Sequence, residues 1–244
     1  MEGQGPIYRV ALGSGNLLFN EPQYGYGTPG DFTVSTDVPK NGLIAAIAED
    51  EGATPDSVTP PLLAYKRTFT EQMLMYAAAP DGSLVTSVLI TMLPTSRGSV
   101  RLSSADIRDA LFIDPNYLGS AVDRYVAREC LNPRVKYLGS DVTVIGREVL
   151  DGEAWARGFD EVLCVNPTDE YIDARLRAAM GSTYHPIGTL AMGAVVDADR
   201  KVKGVENLRV VDASIFPVPI TGHSQAAAFA MAEQAAQIIS ASRP

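Results

Sequence analysis

The sequence contains two histidines, His185 and His223, and both fall in its most patterned stretch. Histidine is the side chain whose ordinary pKa lies nearest neutrality, so a pair of them can take, give or hold a proton without large tuning. Each sits in a setting suited to that work. Pro186 biases His185 toward an extended backbone and aims its ring away from any regular helix. Gly222 supplies turn freedom before His223, and Ser224 to Ala241, rich in alanine, reads as one long helix. The unpaired N–H groups at the start of that helix disfavour an imidazolium, which helps keep His223 neutral as a base. Tyr184, Phe216 and Trp155 could each line a pocket, although residues of these types are more often core; Tyr184 and Phe216 are the candidate substrate-binding residues.

The elements that must position these residues are legible in outline. The first thirty residues are rich in Gly, Pro and Tyr and read as ordered loop with a short strand. Residues 41–51 read as a short helix capped by Asn41, and Thr59 to Ala79 as a longer one starting at Pro60-Pro61. Ser83 to Leu93 and Gly98 to Ser103 read as paired antiparallel strands. Asp123 to Arg128 and Asp169 to Met180 have helical character, and Val195-Val196 and Leu208 to Val211 read as strands. The expected fold class is α+β, an antiparallel or mixed sheet flanked by helices. The expected division is residues 1–180 and 181–244, together one compact unit.

Composition excludes several functions. With 46% hydrophobic residues in 244, the chain can bury a real core. A net charge of -9 argues against nucleic acid, whose phosphates need a concentrated basic surface. Small, uncharged or cationic ligands fit better, and a small hydrophobic substrate is the expected partner. The apolar stretches fall short of a membrane span, and no secretory signal is visible at Met1-Glu2-Gly3-Gln4. A cytoplasmic protein is the expectation, with Cys130 and Cys164 as reduced structural thiols and no metal-like spacing.

The run Ser182-Thr-Tyr-His185-Pro-Ile-Gly-Thr-Leu-Ala-Met-Gly193, then Val202-Lys-Gly-Val-Glu-Asn-Leu-Arg-Val-Val-Asp212-Ala213-Ser-Ile-Phe216-Pro217, then Gly222-His223-Ser-Gln-Ala226, resembles the C-terminal signature of the glucose-methanol-choline (GMC) oxidoreductases. Upstream, Met92-Leu-Pro-Thr-Ser-Arg-Gly-Ser-Val-Arg-Leu102 and Ile113-Asp-Pro-Asn-Tyr-Leu118 resemble the family's substrate-domain segments. A histidine at 223 is most similar to the aryl-alcohol-oxidase and glucose-oxidase branch. The resemblance implies that His185 and His223 face a flavin and a substrate hydroxyl, one taking the hydroxyl proton and the other holding the oxygen. It also implies that Asp212 and Ala213 once contacted the cofactor, although a strand-ending Asp in a turn explains them equally well.

In that family the ADP part of FAD sits on a Gly-x-Gly-x-x-Gly turn between a strand and a helix. The nearest stretch here is Gly13-Ser14-Gly15-Asn16-Leu17-Leu18, whose third glycine is Leu18 and whose helix is stopped by Pro22. No cofactor is therefore expected, and the chain reads as a natural short protein or an excised C-terminal half. Three readings follow. The first is a flavin-independent, redox-neutral enzyme (isomerase, dehydratase or cyclase) acting on a hydrophobic metabolite. The second is half of an FAD-dependent alcohol oxidase or dehydrogenase, and the third is a non-catalytic partner of a full-length relative. A truncated chain also exposes the edge of Leu208 to Val211, which implies rearrangement onto the substrate-domain sheet, homodimerisation or pairing with an FAD-domain protein.

Overall fold

A computed structural model describes residues 2–10, 30–57, 60–75, 84–155 and 166–241. The chain divides into two compact units. One comprises residues 1–91 and 118–183; the other comprises residues 92–117 and 184–244. The sequence reading drew a single boundary at residue 180. The structure also groups the distant segment 92–117 with the C-terminal stretch.

The first unit is built on a six-stranded sheet. Its strands are β1 (Glu2–Val10), β2 (Gly30–Thr36), β3 (Thr70–Met75), β4 (Leu84–Thr91), β7 (Leu150–Trp155) and β8 (Met180–Gly181). The order is β2-β3-β4-β1-β7, with β8 beside β1, and every pairing is antiparallel. Helices α1 (Lys40–Glu51), α2 (Ala121–Gly139) and α3 (Asp169–Ala179) accompany it. This is the expected α+β class.

Two local expectations give way to tertiary context. The longer helix expected over 59–79 is instead a single 3-10 turn, Pro61–Leu63, followed by β3. Glu71, Gln72, Met73 and Leu74 are all good helix formers. They are pulled into the sheet because β3 lies between β2 and β4 and pairs with both, Leu74 facing Phe32 on one side and Ser87 on the other. The helix expected at 123–128 runs instead to Gly139, straight through Pro133. An interior proline costs about 3 kcal/mol. Beyond it Val135 and Leu138 are buried, as is Arg134, and each apolar burial stabilises by about 1.5–3 kcal/mol, so the helix continues.

Capping and ion pairs fix the helices. Ser120 accepts from the Asp123 N–H at 3.0 Å, and the Asp50 carboxylate accepts from Ala121 and Val122 at 2.7 and 3.1 Å, tying the end of α1 to the start of α2. Asn41 lies inside α1, whose N-cap is Pro39. The α2–α3 contact holds the main core, including Leu89, Ala127, Cys130, Leu131, Val135, Ile172 and Leu176. Arg128 closes it from outside through a two-pronged pair with Asp173, 2.7 Å on each prong.

The second unit begins with the hairpin β5 (Ser99–Arg101) and β6 (Phe112–Asp114), in register Val100↔Ile113. Thus β4 and β5 are not partners, as the sequence reading had them; each belongs to a different sheet. The remainder is a set of short backbone ladders and one helix, α4 (Gln225–Ala241). The expected strands at 195–196 and 208–211 are reduced to isolated bridges, Val196↔Val202 and Lys201↔Arg209. Leu208 and Val210 exchange backbone bonds with Val202 and Arg200, so this segment is held within its own unit and not on the six-stranded sheet. Among the described residues no helix is long and apolar enough to cross a membrane.

Candidate active site

Two segments of the second unit carry the histidines, and a short backbone ladder joins them. The N–H groups of Gly188, Leu190 and Met192 donate to the carbonyls of Ala213, Ser214 and Ile215, at 3.4, 2.9 and 2.8 Å. This strap holds the chain after His185 against the turn that leads toward His223. Gly188 has φ +83°, and an added Cβ would stand 3.2 Å from the Phe216 carbonyl oxygen, so the close approach there favours glycine. Ile215 and Val196 are fully buried and anchor the ladder from inside.

Arg200 supplies the link to α4. It is 5% exposed, adopts a left-handed backbone at φ 64°, and donates to the Ala198 carbonyl and the Gln234 side chain. The sequence reading missed this pair. The signal for it was the Asp197-Ala-Asp-Arg turn, where the Asp197 carboxylate accepts from the N–H of Asp199 and of Lys201.

The structure brings the two histidines together across 38 positions of sequence. Nε2 of His185 and Nδ1 of His223 are 3.3 Å apart, and the rings meet edge-to-face at 84° with centroids 5.6 Å apart. Such a bond needs a proton on one nitrogen and a lone pair on the other, so the two rings act as donor and acceptor in one unit. Gly222 has φ +106°, a turn conformation immediately before His223, which itself stands two residues ahead of the start of α4. Both histidines are exposed.

The other expected site residues fall in different roles. Tyr184 follows a left-handed backbone, φ 61°, and is 87% exposed, so it forms no wall of an enclosed pocket. Phe216 is half-buried at the end of the 3-10 turn 213–215. Asp212 caps that turn. Its carboxylate accepts from the Ser214 N–H at 2.8 Å, and this contact with Ser214 holds its pKa below the usual carboxylate range. The Ala213 carbonyl receives the Gly188 N–H. Among the described residues no group of His, Cys, Asp and Glu is arranged to hold a metal ion. Cys130 is buried and its thiol is pushed up to about 12 by burial. Cys164 and the stretch Gly13 to Leu18 lie outside the described residues.

Comparison with known proteins converges on one family. The GMC oxidoreductase C-terminal profile matches residues 94–232, more than half of the chain and the stretch that carries both histidines. A GMC-type oxidoreductase of Aspergillus aculeatus is 34% identical over 96% of this chain, which covers 45% of that relative. Among solved structures, pyridoxine 4-oxidase from Mesorbium loti superposes with a TM-score of 0.70 at 25% identity, over 100% of this chain and 42% of its own. A mutated formate oxidase of Aspergillus oryzae, solved to show the effect of the mutation on FAD modification, gives 0.73 at 20% identity over 98% and 46%. The chain therefore spans less than half the length of these relatives. By the profile match and the shared fold, the chain belongs to the GMC oxidoreductase family.

Proposed function

We propose that this chain is the alcohol-side half of an FAD-dependent alcohol oxidase or dehydrogenase and that a separate flavin-binding half completes it. The observation that carries this reading is the exposed edge-to-face pair, His185 Nε2 to His223 Nδ1 at 3.3 Å. An alcohol oxygen that takes the place of the bond between these two nitrogens would donate its proton to one ring and accept from the other. The ring that receives the proton makes the oxygen alkoxide-like, so hydride loss from carbon becomes easier. A flavin, when bound, supplies the hydride acceptor.

The residues present suit one face of such a site and not the whole of it. Every strand pairing in the large sheet is antiparallel, whereas a dinucleotide cradle needs parallel strands joined by a helix. The described residues thus provide no cradle for the ADP part. They provide a surface that asks to be covered. Among the described residues most of the exposed large hydrophobics belong to the second unit, among them Leu102, Ile107, Phe112, Ile113 and Phe229. A lone two-stranded hairpin is marginal in water, and α4 buries a single residue, Ala235. Both features fit burial by a partner.

The redox-neutral reading rested on the absent FAD site and on a histidine pair lining an apolar pocket. Exposure of both rings takes away the second support. The test is to express the chain with the N-terminal half of its Aspergillus aculeatus relative and to measure retained FAD absorbance and oxidation of an apolar primary alcohol. Retained flavin with turnover is the expected result. A chain that retains no flavin with this half and oxidises nothing would end the proposal, and activity without flavin would return the redox-neutral reading.

A further inference from the structure

A second feature lies in the first unit, where neither histidine is found. The start of α1 and the segment 62–69 form a cleft of about 220 Å³. Its floor is apolar: Val38, Leu43 and Phe69 are 6, 2 and 2% exposed. Its rim carries Lys40, Lys66 and Asp37. Asp37 is already engaged, its carboxylate accepting the Val38 N–H at 2.8 Å. Neither lysine has a hydrogen-bond or ion-pair partner among the described residues.

We propose that this cleft binds a small carboxylate with an apolar body, of the size of benzoate or a short branched-chain acid. Size sets the first limit, since drug-sized ligands occupy about 300–1,000 Å³. Charge sets the second. The chain carries net charge -9 and only five lysines, yet two of the five stand at this one rim. The local sign opposes the global one and favours an anion. Helix α1 also begins here with no side-chain cap and no acidic residue in its first turn, so its end adds a partial positive charge. The start of α1 is rigid: the Tyr125 hydroxyl donates to the Pro39 carbonyl at 2.9 Å, and the Tyr125 ring lies so near Gly42 that a Cβ there would come within 2.4 Å. Lys40 is therefore presented from a fixed backbone. The apolar floor receives the body of the ligand, and its carboxylate takes charge-assisted bonds from the lysines.

The experiment is calorimetric titration of the full chain with sodium benzoate, with benzyl alcohol as the neutral analogue and sodium acetate as the anion without an apolar body. Benzoate should bind saturably and more tightly than either comparator. Lys40→Gln and Lys66→Gln should each weaken benzoate about tenfold, as expected for a lost bond to a charged group, and arginine at the same positions should restore most of it. Lys136→Gln, on the exposed side of α2, serves as the control for net charge and should change nothing. Both rim lysines are exposed, so unfolding curves of the variants should match the parent. Absence of saturable binding, equal binding of benzyl alcohol, or unchanged affinity in both rim variants would overturn the proposal. No outcome depends on flavin or turnover, so the reading of the histidine pair stands or falls separately.

Discussion

Nε2 of His185 and Nδ1 of His223 share a hydrogen bond of 3.3 Å although 38 positions separate them. The ladder between 188–192 and 213–215 makes that meeting possible, because it fixes the register of the two segments by backbone bonds alone. The side chains are then left available for chemistry.

In the reconstituted flavin complex, His185→Ala or His223→Ala should each lower turnover by about two orders of magnitude, the usual contribution of a positioned acid-base group. Steady-state rates with the same alcohol measure it. A loss below tenfold in both would mean that the pair takes no part in proton transfer.

Gly188→Ala should destabilise the second unit by about 1–3 kcal/mol, the cost of holding a side chain at an unfavourable positive φ. The added methyl would also press on the Phe216 carbonyl. Urea unfolding of the variant checks the size. Hydrogen exchange at Leu190 and Met192 should quicken, since their amide bonds form the strap.

The Arg128–Asp173 pair predicts a pH dependence with a definite sign. The Arg128 guanidinium beside Asp173 holds its carboxyl below the usual range. A depressed folded-state pKa contributes stability that is present above the ordinary carboxylate value and is lost as pH falls through the folded one. Asp173→Asn should therefore cost about 1.5–3 kcal/mol near neutrality, and the difference from the parent should shrink in acid. Denaturant titrations at a series of pH values test this.

Cys130 should be inert. Burial pushes its thiol up to about 12, so almost none is thiolate at neutral pH. In a Cys164→Ser background, iodoacetamide should label the protein only at the rate of unfolding, which mass spectrometry can follow. Rapid labelling of the native chain would show that the α2–α3 core opens readily.

The sequence analysis reached the histidine pair, the terminal helix and α3 because each is written locally. His185 and His223 are the chain's two histidines, Ala-rich sequence favours helix, and Ile172 and Leu176 fall on one face of a turn. It misread residues 70–75 because helix propensity is worth only tenths of a kcal/mol per residue, less than the two ladders that β3 completes. Only residues 123–128 of α2 read as helical, because what carries the helix on to Gly139 through Pro133 is the burial of Val135 and Leu138, which is non-local.

By itself, then, the order of residues determined the family, the α+β class and the identity of the two catalytic candidates, since these depend on residue type and short spacing. Only the tertiary structure decided that segment 92–117 joins residues 184–244, that a cleft carries two lysines with no partner among the described residues, and that both histidines are exposed. Those properties depend on which distant surfaces meet. A pattern in one strand or helix says that it must be covered, and the fold says by what.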